Sequence, residues 1–355
     1  MTKRLISFLL LTIGATAVAN NQLGLPPIPI PSDNPQSTKK IALGQTLFND
    51  RRFSTTGTIS CASCHQINKA FTDNVPQAIG INGLTGTRNS PTLINSAFLT
   101  SYFHDGRRSS LEEQALDPLT NPIEHGLKDH TLVLNIVRND ISYIKKFLDV
   151  YQITAEKITM GHVAKSIASF ERTLIYGNSP FDRYFFKAER PVLTQSQARG
   201  LRLFRRKANC ANCHEISWDH ALFTDNRFYN IGIGFDNLRI VLPEFLKEID
   251  ETVLTSIQRT ELGRFSISRQ LKDIGAYRTP TLRNIELTAP YMHDGSIDTL
   301  EEVVDYYDKG GNKNQFLNPA IFPLNLTKQE KMDLVAFMKI LTSPEFKITD
   351  KDQKR

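Results

Sequence analysis

The sequence predicts a mainly α-helical protein built from two related domains, and three observations carry that expectation. Apolar residues recur at helical spacing over 129–151 and 157–176, as Leu132, Leu134, Ile136 and Val137 and then Ile158, Val163, Ile167 and Phe170. A block of sequence recurs without gaps at a constant offset of about 189 residues. Each half also carries one Cys-x-x-Cys-His, at Cys61-Ala62-Ser63-Cys64-His65 and at Cys210-Ala211-Asn212-Cys213-His214.

Taken in chain order, Lys3 and Arg4 precede the apolar run Leu5 to Ile13, which passes through small residues to Ala17-Val18-Ala19. That is the pattern of an export signal over 1–19, cleaved near Asn20. No other stretch is long and apolar enough to span a bilayer. Residues 20–37 read as an extended arm, because Pro26, Pro27, Pro29, Pro31 and Pro35 fix φ and lack N–H donors. The first domain is expected over 38–185, the second over 186–345, and a charged tail over 346–355. The join is expected near Pro180 and Pro191. The duplicated block runs Pro91-Thr92-Leu93-Ile94-Asn95, Tyr102-Phe103-His104-Asp105-Gly106 and Leu111-Glu112-Glu113 in the first half. It returns as Pro280-Thr281-Leu282-Arg283-Asn284, Tyr291-Met292-His293-Asp294-Gly295 and Leu300-Glu301-Glu302. Upstream, Phe71-Thr72-Asp73-Asn74 matches Phe223-Thr224-Asp225-Asn226. Near the end, Thr327 with Glu330 forms a capping box for a helix carrying Leu334, Val335, Phe337 and Met338. Segments around 80–90 and 309–314 read as loops, and strands are not strongly signalled.

Composition narrows the function. With 355 residues, 40% apolar and 23% charged, the chain is a packed globular protein of about two domains. Its formal charge of +6 contains no polybasic run and gives no case for nucleic acid. Four cysteines are too few for a disulfide scaffold of this length.

Cys-x-x-Cys-His is the attachment signature of c-type haem. Two thiols one helical turn apart reach the two vinyl groups of a porphyrin edge, and the adjacent His ligates iron. A zinc ribbon would place its Cys pairs closer together, and a thioredoxin-like dithiol needs neither the His nor a second copy. Cys61, Cys64, Cys210 and Cys213 are therefore expected to carry two haem c groups, with His65 and His214 as proximal ligands. Gly232-Ile233-Gly234 lacks the context of a dinucleotide fingerprint. His125, His130, His162 and His220 show no metal-ligand spacing and read as surface residues. Without further information Glu124 reads as a solvated loop carboxylate, Gln114 as a surface helix position, and Asn89 as a turn cap.

The repeats, Phe103-His104-Asp105-Gly106-Arg107, Leu111-Glu112-Glu113-Gln114-Ala115-Leu116 and Ala289-Pro290-Tyr291-Met292-His293-Asp294-Gly295 together resemble the bacterial di-haem cytochrome c peroxidases, and within them the MauG-type branch. The resemblance covers roughly 38–345 and implies two cytochrome c-like domains, each with one covalent haem. It makes the N-terminal haem the site of peroxide chemistry, with Glu124 as acid–base and Gln114 orienting bound H2O2. The loop His that caps this iron in many relatives falls near Ile81, which cannot ligate, and no His lies between His65 and His104. Pro118, the repeat partner of Tyr307, cannot ligate either, so an open N-terminal haem is expected. At the C-terminal haem the resemblance implies Tyr307 as second ligand, with Tyr306 as competitor and Met292 as another alternative. It implies one Ca2+ held by Asn89 and the carbonyls of Thr288 and Pro290, and oxygen donors suit that ion.

Two departures bear on partners. His104 stands where the family often has a Trp between the haems; it is read as bridging the haem edges, as bonding a propionate or water, or as structural, and His293 as structural. Ala208 and Asn209 stand where the protein-modifying MauG has a surface Trp, and the chain's one Trp, Trp218, lies elsewhere. The resemblance thus implies a periplasmic peroxidase that reduces H2O2 with electrons from a small cytochrome c or copper protein. A MauG-type enzyme that uses high-valent haem to oxidise a partner protein is the alternative, and a non-enzymatic di-haem electron carrier the third. A homodimer is the assembly common in the family.

Overall fold

A computed structural model describes residues 22–189 and 192–346. The expected export signal, most of the charged tail and Pro191 lie outside the described residues. The first half contains α1 (Thr38–Phe48), α2 (Cys61–Cys64), α3 (Leu111–Gln114), α4 (Asp117–Thr120), α5 (Thr131–Asn139), α6 (Ile141–Tyr151) and α7 (Met160–Glu171). The helix expected over 129–151 is two helices. Asp140 leaves the helical region at φ −81° and ψ 116°, and its carboxylate accepts from Ser142 N–H at 2.8 Å to cap α6.

The second half follows with α8 (Pro180–Phe186), α9 (Gln195–Arg205), strand β1 (Phe228–Asn230), α10 (Asp236–Arg239), α11 (Leu242–Glu248), α12 (Ser256–Glu261), α13 (Phe265–Ser268), strand β2 (Ala276–Arg278), α14 (Leu300–Asp308) and α15 (Lys328–Lys339). α15 starts with the expected capping box of Thr327 and Glu330. α1 packs on α7 and α9 on α15. Each crossing is close because a glycine lies in it: a Cβ on Gly44 would sit 1.9 Å from Ser166 O, and one on Gly200 2.0 Å from Asp333 O.

Each half has its own core. Leu43, Phe48, Phe71, Val133, Phe147, Ile167 and Leu174 belong to the first, and Phe181, Phe204, Phe223, Leu300, Phe337 and Leu341 to the second. Phe181 thus packs in the second core, upstream of the boundary expected between 185 and 186. Matching positions repeat uncommon left-handed backbone angles: Phe71 and Phe223 at φ 57° and 52°, Asn95 and Asn284 at 61° and 60°, Phe103 and Met292 at 64° and 74°.

A third core was not expected. Phe235, Leu238, Leu242, Phe245, Leu254, Leu262, Phe265 and Ile274 cluster between β1 and β2, which pair antiparallel with Tyr229 opposite Tyr277. Its signal lies in the repeat spacing. Cys61 to Cys210 is a step of 149 residues and Pro91 to Pro280 one of 189, so about 40 residues are inserted in the second copy. The insert staples the halves: Arg264 donates to the carbonyls of Asp105 and Gly106 at 3.0 and 2.9 Å, and Arg88 to Thr260 O at 2.9 Å.

The proline-rich arm also joins both halves. Leu25 is buried against Ala97, Phe98 and Ile175, with Leu222 of the second half beside them. Arg283, fully buried, donates to Gly24 O at 2.6 Å and Ala221 O at 2.7 Å, and pairs with both Asp182 oxygens at 2.9 Å. Phe346 returns to the first half, its ring 4.6 Å from that of Tyr176.

Candidate functional site

Both Cys-x-x-Cys-His segments turn tightly, so that His65 N–H donates to Cys61 O at 3.0 Å and His214 N–H to Cys210 O at 2.9 Å. Each imidazole then meets a backbone carbonyl through Nδ1: Phe71 O at 3.1 Å from His65, Phe223 O at 2.9 Å from His214. The left-handed backbone of these two phenylalanines is local to both carbonyls. A Nδ1–H donating to a carbonyl leaves the Nε2 lone pair available for a metal. Burial lowers the proton affinity of both imidazoles, which keeps them neutral as a ligand must be.

The four cysteines form no disulfide. Burial pushes the thiols of Cys61, Cys64 and Cys210 up to about 12 and Cys213 to about 11. They are not the low-pKa thiolates of a dithiol redox site. Free thiols beside a neutral His with an open Nε2 fit a covalently attached haem in each half.

On the N-terminal side, Glu124 is half-buried rather than fully solvated. Burial, and then Asp117, holds its carboxyl above the usual range, against Arg107 and the Asn121 hydrogen bond. Asn121 Nδ2 donates to Glu124 Oε1 at 2.6 Å, while Asn121 Oδ1 accepts from Ile123 N–H at 2.9 Å. Glu124 lies close enough to raise the affinity of both Cys61 and Cys64 for their protons. Ile81 is buried against the same loop, its N–H donating to Ile123 O at 3.0 Å and Glu124 O at 3.2 Å. Gln114 ends α3, is half-buried, and makes no side-chain hydrogen bond among the described residues. His125 is buried, contrary to expectation: its Nδ1 lies 2.8 Å from Phe53 O and holds the Glu124 loop down.

On the C-terminal side a solvent-connected cavity is lined by Cys210, Cys213, His214, Met292 and Tyr307. The two candidate tyrosines separate clearly. Tyr306 Oη donates to Ile231 O at 2.7 Å and accepts from Asn312 N–H at 3.2 Å. The Tyr307 hydroxyl makes no hydrogen bond among the described residues, and burial and then the neighbouring Cys210 and Cys213 push it up.

His104 lies at the joint of the halves. It is 3.0 Å from Asn89 O through Nε2, its own carbonyl accepts from Arg278 N–H at 2.8 Å, and burial, then Arg88, lower it to about 3. Asn89 spends its Nδ2 on Val75 O at 2.8 Å, and its N–H donates to His293 O at 2.8 Å. Asn74 takes the carbonyls of Leu287 and Ala289 at 3.2 and 2.7 Å. The alternate carbonyls, Thr288 and Pro290, have no described donor, and both line the cavity beside Asn89. Two free carbonyls and an amide oxygen fit a hard cation.

Against known proteins, residues 38–190 match the di-haem cytochrome c peroxidase family. The cytochrome-c peroxidase IdrP1 of a Pseudomonas species is 35% identical over 340 residues, covering 90% of this chain and 85% of that protein. The chain belongs to the di-haem cytochrome c peroxidase family. The methylamine utilization protein MauG of Methylorubrum extorquens is 34% identical, over 91% of this chain and 83% of that one. A crystal structure of a MauG-like protein associated with microbial copper homeostasis aligns with TM-score 0.77 and 33% identity, over 91% of this chain and 95% of that one. Membership carries haem c as cofactor and oxidoreductase chemistry of the peroxidase kind.

Sequence reasoning missed Glu261 of the insert, which accepts from His293, and Tyr277 on β2, stacked on the His293 ring. Ala208 is buried, so this position offers no exposed side chain, whereas Trp218 is 89% exposed. Among the described residues no helix is long and apolar enough to cross a membrane.

Proposed function

We propose that the protein is an exported, periplasmic di-haem peroxidase whose halves arose by duplication, each half binding one haem through thioethers to its Cys pair and a bond to its His. The observation that carries the reading is Glu124: a half-buried carboxyl with raised proton affinity, oriented by Asn121 and close enough to act electrostatically on Cys61 and Cys64. Haem held by His65 would supply an open coordination position for H2O2 and electrons for O–O cleavage. Glu124 would take a proton from hydrogen peroxide and return it to the departing oxygen, which would leave as water. The Gln114 amide, without a side-chain hydrogen bond among the described residues, orients the peroxide. Ile81 and Pro118 offer no ligand that would close the position. Two electrons and two protons complete the reduction of H2O2 to two waters; a small cytochrome c or copper protein would supply the electrons one at a time, and a haem held by Cys210, Cys213 and His214 would receive them. His104, neutral and anchored to Asn89 between the crevices, positions the path between them. Asn89 Oδ1 with the Thr288 and Pro290 carbonyls holds a calcium ion there.

A MauG-type role, in which the oxidised haem pair acts on a residue of a partner protein, is the second reading. Tyr307 in the C-terminal cavity favours it, since a tyrosinate ligand stabilises higher iron oxidation states. One experiment separates these from a simple electron carrier. Ferric protein is expected to show one high-spin and one low-spin haem, and to react with stoichiometric H2O2 without prior reduction. A long-lived oxidised state that decays only with a partner protein selects the MauG-type role, and turnover with a reduced cytochrome or copper protein selects the peroxidase. Two low-spin ferric haems inert to peroxide would sink both.

A further inference from the structure

Between the halves lies a buried array that the peroxide chemistry above does not use. The Tyr277 ring, on β2, stacks on the His293 imidazole with centroids 3.6 Å apart and planes at 18°. Tyr277 Oη lies 3.0 Å from Glu261 Oε2 and 3.0 Å from Thr260 O. His293 Nε2 lies 3.0 Å from the same Glu261 oxygen. Glu261 is buried and has no lysine or arginine partner among the described residues. Arg88, over the Tyr277 ring at 5.3 Å, pairs instead with Asp105 at 2.8 Å. His293 meets His104 edge-on at 6.5 Å. Tyr277, His293 and His104 all line the cavity that holds Cys210, Cys213 and His214.

A buried carboxylate without a cation is costly, and here two hydrogen bonds from Tyr277 and His293 stabilise it. The arrangement belongs to the second half alone. In the sequence repeat Tyr277 falls opposite Arg88 and His293 opposite His104, while Glu261 comes from the insert and has no counterpart. A phenol gives up an electron readily when its proton leaves at the same time, and Glu261 Oε2 is the acceptor that makes this transfer local. Burial and the facing carboxylate keep the phenol protonated at rest.

We propose that Tyr277, with Glu261 as its proton acceptor, is a one-electron relay at the joint between the two haem crevices. The proposal rests on the peroxidase reading for its oxidant, a haem oxidised by peroxide. Tyr277 would give up one electron to that oxidant. The Tyr277 O–H bond breaks and the proton crosses to Glu261 Oε2, leaving a neutral tyrosyl radical and a carboxylic acid. An electron from the external donor then reduces the radical, and Glu261 returns the proton. His293 holds the ring and the carboxylate in register throughout, as a positioning residue.

The test is freeze-quench electron paramagnetic resonance on the di-haem holoprotein, oxidised in one arm by H2O2 and in another by photogenerated ruthenium(III) tris-bipyridine, which needs no peroxide step. A tyrosyl signal is expected in both arms, narrowed by ring-deuterated tyrosine and absent from Tyr277→Phe. 3-Fluorotyrosine placed at 277 alone should split the signal and keeps the test valid should the Phe variant load haem poorly. Glu261→Gln should slow radical formation by roughly 10²-fold, because an amide cannot accept the proton. A tyrosyl signal unchanged in Tyr277→Phe, or unsplit with fluorotyrosine at 277, overturns the relay, as does its absence in both arms. A Tyr277 radical with ruthenium but no haem change with peroxide overturns the peroxidase reading and leaves the relay standing.

Discussion

Replacing Glu124 by Gln isolates proton transfer from geometry. The substitution keeps size and the acceptor atom, so the 2.6 Å hydrogen bond from Asn121 Nδ2 is retained, and Asn121 stays anchored by Ile123 N–H. What is lost is the ability to take and return a proton. A positioned acid–base contributes about 10²–10⁴-fold, equivalent to roughly 2.7–5.4 kcal/mol of barrier. Stopped-flow absorbance of the ferric holoprotein mixed with H2O2 should show the first haem change slowed by that factor. The pH dependence follows from the direction of the Glu124 shift. The carboxylate form accepts the first proton, so the wild-type rate rises with pH along a limb lying above the ordinary glutamate value of 4.5. Below that limb the group is already protonated and the rate falls. Glu124→Gln should lack the limb. An unchanged rate, or a variant that keeps the limb, would refute the acid–base assignment and return Glu124 to a structural role.

Three further outcomes test other parts of the site. Tyr307→Phe should alter the absorption and magnetic circular dichroism of the low-spin haem, whereas Tyr306→Phe, which loses only contacts to Ile231 and Asn312, should leave those spectra unchanged; the reverse pattern would exchange the two assignments. Metal analysis of the purified protein should find about one calcium, and Asn89→Ala should lose it together with part of the spectral coupling between haems; protein free of calcium yet spectrally unchanged would remove the ion from the account. Asp182→Ala leaves the fully buried Arg283 guanidinium without its carboxylate and should cost about 3–5 kcal/mol in a denaturant titration, while a loss under about 1 kcal/mol would mean that the Gly24 and Ala221 carbonyls suffice.

Much of the haem chemistry was legible in the chain, because Cys-x-x-Cys-His is local: one turn of backbone sets two thiols and an imidazole together whatever surrounds them. Glu124 and Gln114 were legible only through resemblance, since nothing in a loop sequence states that a carboxylate will be half-buried. The reading of His125 as a surface residue failed for the same reason: its partner is Phe53 O, 72 residues away. The insert was visible as a change of repeat offset, but not as a core, because its helices are short and their apolar residues meet only once the segment folds back on itself, as Phe245 meets Phe265.

The sequence by itself determined a helical chain with two Cys-x-x-Cys-His segments, a repeated frame around them, and no histidine between His65 and His104. Tertiary structure alone decided which groups face each crevice. Adjacent helical residues point roughly 100° apart, so Tyr306 turns to the Ile231 carbonyl and Tyr307 to the cavity of Cys210 and His214. Likewise only the packing of the insert brings Glu261, Tyr277 and His293 within hydrogen-bonding and stacking distance, because their separations along the chain carry no trace of it.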